Sequence, residues 1–251
     1  MSTLLLRLAG PMQSWGTDSK FDVRRTGREP SKSGVIGLVA AALGIGRQDR
    51  ERLRELAALR FGVIAERDGV MIEDFHAARS EKSSYITHRY YLSDAVFVAG
   101  LESENSRLLE QIGCALRSPA FPLYLGRRSC PPVGRVFLRI CDKPLKPALE
   151  EQALLDLNSD RPGNTPAADA HIGNMPTGYT RLVMDSADLH GGLVRDVPLS
   201  FDPSRREYGY RRVVELLPDL PKNNLCTADL ANHDPMAELF ETHDPMTELE
   251  D

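Results

Sequence analysis

Apolar residues fall along this chain in short runs whose period switches between strand-like and helix-like. Residues 3–8 are apolar except for Thr3 and Arg7 and end at Gly10-Pro11, which predicts a buried strand. Ser31 or Ser33 can cap a helix running to about Leu43, with Gly44 as its stop. That helix is apolar nearly all round, so it must pack inside, against a sheet. Residues 50–59 form a second, amphipathic helix with Leu53, Leu56 and Ala57 inward. Residues 61–66 and 70–75 flank Asp68-Gly69, a strong hairpin signal. Residues 76–89 lose apolar periodicity, and residues 90–101 resume as one long strand. Ser103 caps a helix to about Arg117, stopped by Ser118-Pro119. Residues 121–125 and 135–141 are strands on either side of a Gly-Arg-Arg-Ser-Cys-Pro-Pro turn.

The first 142 residues therefore run approximately β-α-β-β-α-β, with an additional hairpin and helix. The predicted class is α+β, with the split βαβ order of ferredoxin-like, RRM-like domains. Such a fold does not by itself specify an activity. From residue 143 the pattern weakens. A short helix is predicted over 148–157, a Gly/Pro/Asn/Asp-rich loop over 158–178, and strands over 179–184, 192–199 and 208–217. These strands are expected to form a small β-rich appendage over 143–220. Residues 221–251 are expected to be an acidic, disordered or weakly helical tail. It holds a near-duplicate of ten-residue period, HDPMAELFET then HDPMTELED.

Charge changes the picture. The net charge of −5 argues at first against a polyanionic partner. Residues 227–251, however, carry eight carboxylates and no Lys or Arg, which leaves 31 basic against 28 acidic groups in the remaining chain. The body is mildly basic and the tail is acidic. The four cysteines form no CxxC pair, so free thiols in a reducing cytoplasm are expected. The leading apolar run is too short for a signal-peptide core, and no stretch suits a membrane span. No cofactor or metal is expected: there is no Walker loop, GxSxG elbow or HExxH, and His233 and His243 match no ligand spacing.

Three segments place glycine beside basic or hydroxyl side chains at the edge of apolar runs: LRLAGPMQSWG (6–16), REPSKSGVIGLVAAALG (28–44) and LYLGRRSCPP (123–132). Glycine admits a close backbone, and cations with free N–H groups suit phosphate. Ser31, Lys32 and Ser33 sit at a helix start, as an anion site or as a plain cap with a solvated lysine. Arg24, Arg25 and Arg28 lie in the long polar loop leading to it, as phosphate forks or solvated charge. Trp15, beside Gln13 and Ser14, can stack on a base or close the core. Gly126, Arg127, Arg128 and Ser129 form a tight turn that can bind an anion or simply cover the surface. Lys82, Tyr85, His88 and Arg89 form a basic arm, or the acid–base groups of a metal-free ribonuclease.

At these segments, together with HRYYLSDAVFVAGLE (88–102), the chain resembles the CasD family of type I-E CRISPR Cascade, within the RAMP superfamily of RNA-binding proteins. The resemblance implies a ferredoxin-like domain with a protruding β-hairpin thumb at about 76–91. It implies a non-catalytic subunit that binds the 5′ handle of the crRNA and caps one end of the guide complex. Its partners would be the Cascade backbone subunit and the large subunit, with target DNA met only through the assembled complex and selected by the guide. Arg89 would clamp the handle, and residues 31–33 and 126–129 would line it. A related subunit cleaves precursor crRNA, so an endoribonuclease remains the alternative. The acidic tail matches no feature of the family.

Overall fold

The computed structural model describes residues 1–16, 23–79, 84–159 and 181–218. Residues Met1–Asp219 form one unit and Leu220–Asp251 another; the second unit, with the predicted tail and its duplicated decapeptide, lies outside the described residues.

The first unit is built on an antiparallel sheet. Its first strand is β1 (Ser2–Ala9), paired on both sides. Leu4, Leu6 and Leu8 point to one face and Leu5 to the other, all fully buried, so the run needs no polar alternation. β4 (Arg60–Arg67), β7 (Val96–Ser103) and β8 (Phe137–Cys141) complete the order β4-β7-β1-β8. On one face lie α1 (Lys32–Ala42), α2 (Arg50–Ala57) and α3 (Ser106–Arg117). α1 begins at the Ser31 cap and ends at Gly44, which takes φ +70°, as the sequence predicts. Its buried Val35, Ile36, Leu38 and Val39 confirm that it packs inside. The N-cap of α3 is Asn105 rather than Ser103.

The other face is covered by α4 (Leu145–Ser159). Gly62 and Gly100 are register partners on adjacent strands, and a Cβ at Gly100 would lie 2.6 Å from Leu145 Cδ1. The glycine pair makes a trough into which the helix start drops. Glu102 receives that start, accepting from the Leu145 N–H at 2.6 Å and from Arg60 at 2.7 Å.

β9 (Arg181–Asp185), β10 (Gly192–Ser200) and β11 (Glu207–Leu216) continue the sheet. β9 pairs with β4, giving seven strands in the order β10-β11-β9-β4-β7-β1-β8. The expected C-terminal appendage is thus, for its described strands, an extension of the same sheet. The reason is the apolar edge of β4, where Val63 and Ile64 seat Val183 and Leu182.

A second sheet departs from two sequence expectations. It comprises β2 (Met12–Gln13), β3 (Val23–Arg24), β5 (Val70–Arg79) and β6 (Ser84–Ser93). Asp68-Gly69 does not turn a hairpin: β4 and β5 belong to different sheets, and β5 pairs with β6 over ten residues. Gly69, at φ +72°, makes the corner, with no room for a Cβ beside the Ser93 carbonyl. The predicted strand 90–101 is likewise broken at Asp94, at φ 55°, where the chain crosses back to the first sheet. Residues 121–125 form no strand.

Candidate nucleic-acid interface

The segment after β1 folds under the start of α1. Gln13 is fully buried and its amide donates to the Leu8 carbonyl at 3.0 Å and the Ala95 carbonyl at 2.7 Å. Its side-chain oxygen accepts from the Trp15 indole N–H at 2.9 Å. Trp15 is 1% exposed, and a Cβ on Gly34 would approach its ring at 2.7 Å. The indole therefore closes the core and offers no face to a base; Gln13 is spent holding it. Ser14 is buried and donates to the Tyr90 carbonyl at 3.3 Å.

The third glycine segment lies directly on the first. The Ser14 N–H donates to the Leu125 carbonyl at 3.1 Å. Gly126 has φ +87°, and a Cβ there would sit 1.8 Å from the Ser14 carbonyl oxygen. Only glycine meets both demands. The turn beyond is closed by the Cys130 N–H on the Arg127 carbonyl at 2.9 Å and leaves Arg128 and Ser129 exposed. Burial pushes the Cys130 thiol up, so it offers no nucleophile here.

Arg127 reaches across to the second sheet. Its Nη2 donates to the Arg24 carbonyl at 2.7 Å, and its guanidinium lies 4.7 Å over the Tyr91 ring. Arg24 is the register partner of Arg89 where β3 lies along β6. Register partners share a face, and Arg89 and Tyr91 share one by the period of two. So Arg24, Arg89 and Arg127 crowd one side of β6. Among the described residues none of the three, nor Arg25 or Arg128, pairs with a carboxylate; Arg89 Nε and Arg127 Nη1 are buried without a hydrogen-bond partner. Asp74 is the other register partner of Arg89 and makes no ion pair with it.

The start of α1 behaves differently from the sequence expectation. Ser31 caps it, accepting from the Gly34 N–H at 3.2 Å. The Lys32 N–H is taken by Asp196 at 2.7 Å, and the Lys32 ammonium by Asp185 at 3.1 Å. Lys32 is 5% exposed. The free-cation reading of Lys32 is thus corrected: the protein's own carboxylate occupies the anion position. Asp196 is itself clasped by Arg211 Nε and Nη2 at 2.6 and 2.9 Å, and Arg211 Nη1 reaches Asp185 at 2.8 Å. Burial alone would lower the Arg211 pKa, but hydrogen bonds and charge from Asp196 and Asp185 outweigh it and raise it. This network carried no local sequence signal, because its members are far apart in the chain.

Arg28 is exposed, with its carbonyl held by Arg181 at 2.9 Å. Glu29 beside it contacts Arg181 at 3.3 Å, yet burial pushes its carboxyl up. His88 is hydrogen-bonded through Nδ1 to Glu73 and stands edge-on to Phe75 at 5.5 Å. Lys82 lies outside the described residues, as does the Tyr85 side chain.

All three glycine segments meet at one cavity of about 830 Å³. Ser14 and Trp15, then Ser31, Ser33 and Gly34, then Gly126, Arg127 and Arg128 contribute to its lining. Phe121, Tyr124, Phe201 and Tyr208 add aromatic wall. Arg47 and Arg206 also line it, and sequence reasoning missed both. Their signals were weak: Arg47 follows the Gly44-Ile45-Gly46 run, and Arg206 sits in an arginine pair before β11.

Comparison with known proteins agrees with the segment pattern. A family model described as CRISPR-associated protein (Cas_Cas5) matches residues 3–214. The Cascade subunit CasD of Escherichia coli strain K12 is 36% identical over 160 residues, covering 56% of this chain and 71% of that protein. A solved CRISPR RNA-guided surveillance complex contains a chain 33% identical, with TM-score 0.65, covering 88% of this chain and 91% of its own. A crystal structure of a Cas protein is 38% identical, with TM-score 0.58, over 86% and 94% of the two chains.

Proposed function

The chain belongs to the Cas5 family of CRISPR-associated proteins, and from that premise we propose that it is the Cascade subunit that holds the crRNA 5′ handle. One observation carries the reading. Arg24, Arg89 and Arg127 crowd one side of β6, Arg127 and Arg128 line the cavity where the three glycine segments meet, and none of the four forms an ion pair among the described residues. Like charges held together cost free energy unless an anion is present. A single-stranded RNA backbone supplies that anion, and the aromatic wall beside it suits unpaired bases.

The order β4-β7-β1-β8, with α1 between β1 and β4 and α3 between β7 and β8, supports the ferredoxin-like assignment. The β5–β6 hairpin is read as the thumb. It begins at Val70, earlier than the 76–91 expected from sequence. Its exposed Val70, Met71 and Phe75 suit burial against a neighbouring subunit. The backbone and large subunits are the partners, with DNA met through the guide in the assembled complex.

The subunit is read as non-catalytic. His88 is held through Nδ1 by Glu73 and stands edge-on to Phe75, contacts compatible with both readings, between which the cleavage assay below decides. No helix among the described residues is long and apolar enough to cross a membrane.

The test is handle binding by the full chain, measured by filter retention across a salt series, for wild type, Arg89→Ala, Arg128→Ala and the double variant. Each lost phosphate contact should flatten the slope of log affinity against log salt by about 0.7. A folded double variant with wild-type affinity and slope refutes the reading. Labelled repeat RNA incubated in EDTA should remain uncut; a discrete cut lost in His88→Ala would instead establish the ribonuclease.

A further inference from the structure

The cavity has cationic groups beyond the family segments. Arg47 stands just past the C-terminal end of α1, and Arg206 in the connection between β10 and β11. Both are exposed and both line the cavity that Arg127 and Arg128 also line. Neither pairs with a carboxylate among the described residues. Acids near them in sequence accept other bonds. Asp49 accepts from the Arg52 N–H at 3.1 Å as the cap of α2. Asp202 accepts from the Ser204 N–H at 2.9 Å and hydroxyl at 2.7 Å, bonds that hold its carboxyl below the usual range. Arg205, the immediate neighbour of Arg206, is by contrast paired with Glu207 and does not line the cavity.

The same cavity is lined by aromatic side chains: Phe201 just after β10, Tyr208 on β11, and Phe121 and Tyr124 from the segment after α3. Cations and aromatic rings lining one groove are the composition that single-stranded nucleic acid uses, where phosphates meet the arginines and bases meet the rings. A purely apolar small-molecule pocket would not carry four unneutralised guanidiniums.

We propose that Arg47 and Arg206 form a second phosphate-binding wall of this cavity, so that the single strand runs into it beyond the Arg127-Arg128 turn instead of ending at the β6 face. The inference rests on the RNA reading of the site and deepens it. The C-terminal strands, through Arg206, Phe201 and Tyr208, thereby become part of the binding surface.

The experiment compares the full-length wild type with Arg47→Ala/Arg206→Ala and with Arg205→Ala. The probe is a fluorescein-labelled single-stranded RNA copied from the host's own repeat-derived handle, titrated by anisotropy across a salt series. At 0.15 M salt each lost contact corresponds to about a fourfold loss, so the double variant should bind roughly fifteen-fold more weakly, with its salt slope flatter by about 1.4. Its urea midpoint should match wild type, and Arg205→Ala should bind as wild type. A folded Arg47→Ala/Arg206→Ala variant with unchanged affinity and slope overturns the proposal. So does an equal loss in Arg205→Ala, which would indicate diffuse charge rather than a site. If Arg89→Ala and Arg128→Ala still lose binding in that case, only this inference falls. If neither they nor the wild type respond to the RNA, the handle reading itself fails.

Discussion

Lys32 is where two physical accounts of the same motif diverge most sharply. As a phosphate ligand it would contribute to RNA affinity and little to stability. As an internal ion-pair member it would do the reverse. The structure favours the second: its Nζ is 3.1 Å from Asp185 Oδ2, with side-chain exposures of 6% and 17%. At that separation and an effective dielectric of about 20, the attraction is roughly 5 kcal/mol before desolvation. Removing the ammonium recovers its own desolvation cost, which offsets about half of that. Asp185 also keeps Arg211 at 2.8 Å and the Phe61 N–H at 2.9 Å, so it is not stranded. Lys32→Met, which preserves the stem, should therefore cost about 2–3 kcal/mol. With a urea dependence of about 2–3 kcal/mol per molar, the midpoint should fall by roughly 1 M.

The assay pairs that unfolding curve with handle binding by the folded fraction. Lys32→Met should keep the wild-type salt slope, because no phosphate contact is lost. A variant with an unchanged urea midpoint and a slope flatter by about 0.7 would refute this reasoning. It would return Lys32 to the RNA and leave the Asp185 contact without energetic weight.

Three further outcomes follow from other parts of the site. Trp15, the sole tryptophan, should emit at blue-shifted wavelengths and resist acrylamide quenching; strong quenching by added handle RNA would mean that it stacks on a base after all. Gly126→Ala should be destabilised by more than the roughly 1–3 kcal/mol of a strained φ alone, because its Cβ meets the Ser14 carbonyl; an unchanged midpoint in thermal denaturation would contradict this. Glu29 has a carboxyl raised by burial against the pull of Arg181, so its favourable contribution is complete at low pH and is lost as pH rises through the raised value. Glu29→Gln should accordingly gain stability relative to wild type between pH 4 and pH 7. A variant that loses ground over that range would mean that the Arg181 contact prevails.

The elements whose cause is local were legible in the sequence. β1 follows from an apolar run ended by Gly-Pro, and α1 from a serine cap, an apolar body and a glycine stop. Elements defined by what they pair with were not. Asp68-Gly69 has the composition of a hairpin, yet Gly69 directs β5 into another sheet because the residues opposite β4 are claimed by β7 and β9. Asp94 at positive φ splits a run that looks continuous, since nothing in its apolar pattern marks a change of sheet. The same division applies to the site. The three glycine segments were visible in the sequence one by one, and parts of all three line one cavity. Which cations remain free at that meeting depended on acids more than 100 residues away.

Those distant acids explain how one mildly basic chain keeps a reactive cationic face. Arg181 is drawn to Glu29 and Asp68, Lys32 to Asp185, and Arg211 to both Asp185 and Asp196. Each pairing involves β9, β10 or β11, and the Asp185–Asp196–Arg211 group holds the start of α1 through Lys32. The C-terminal strands thus neutralise the cations on which the fold is built, and their acids do not reach Arg24, Arg89, Arg127 or Arg128. Among the arginines left without a carboxylate partner among the described residues, Arg127 and Arg128 line the cavity. On the proposed reading, an RNA backbone there would meet the Arg127 guanidinium already positioned by the Arg24 carbonyl and by Tyr91, so its binding would cost little ordering of that side chain. If the site holds RNA as proposed, what matters is less the number of arginines than which of them the distant carboxylates leave unmatched.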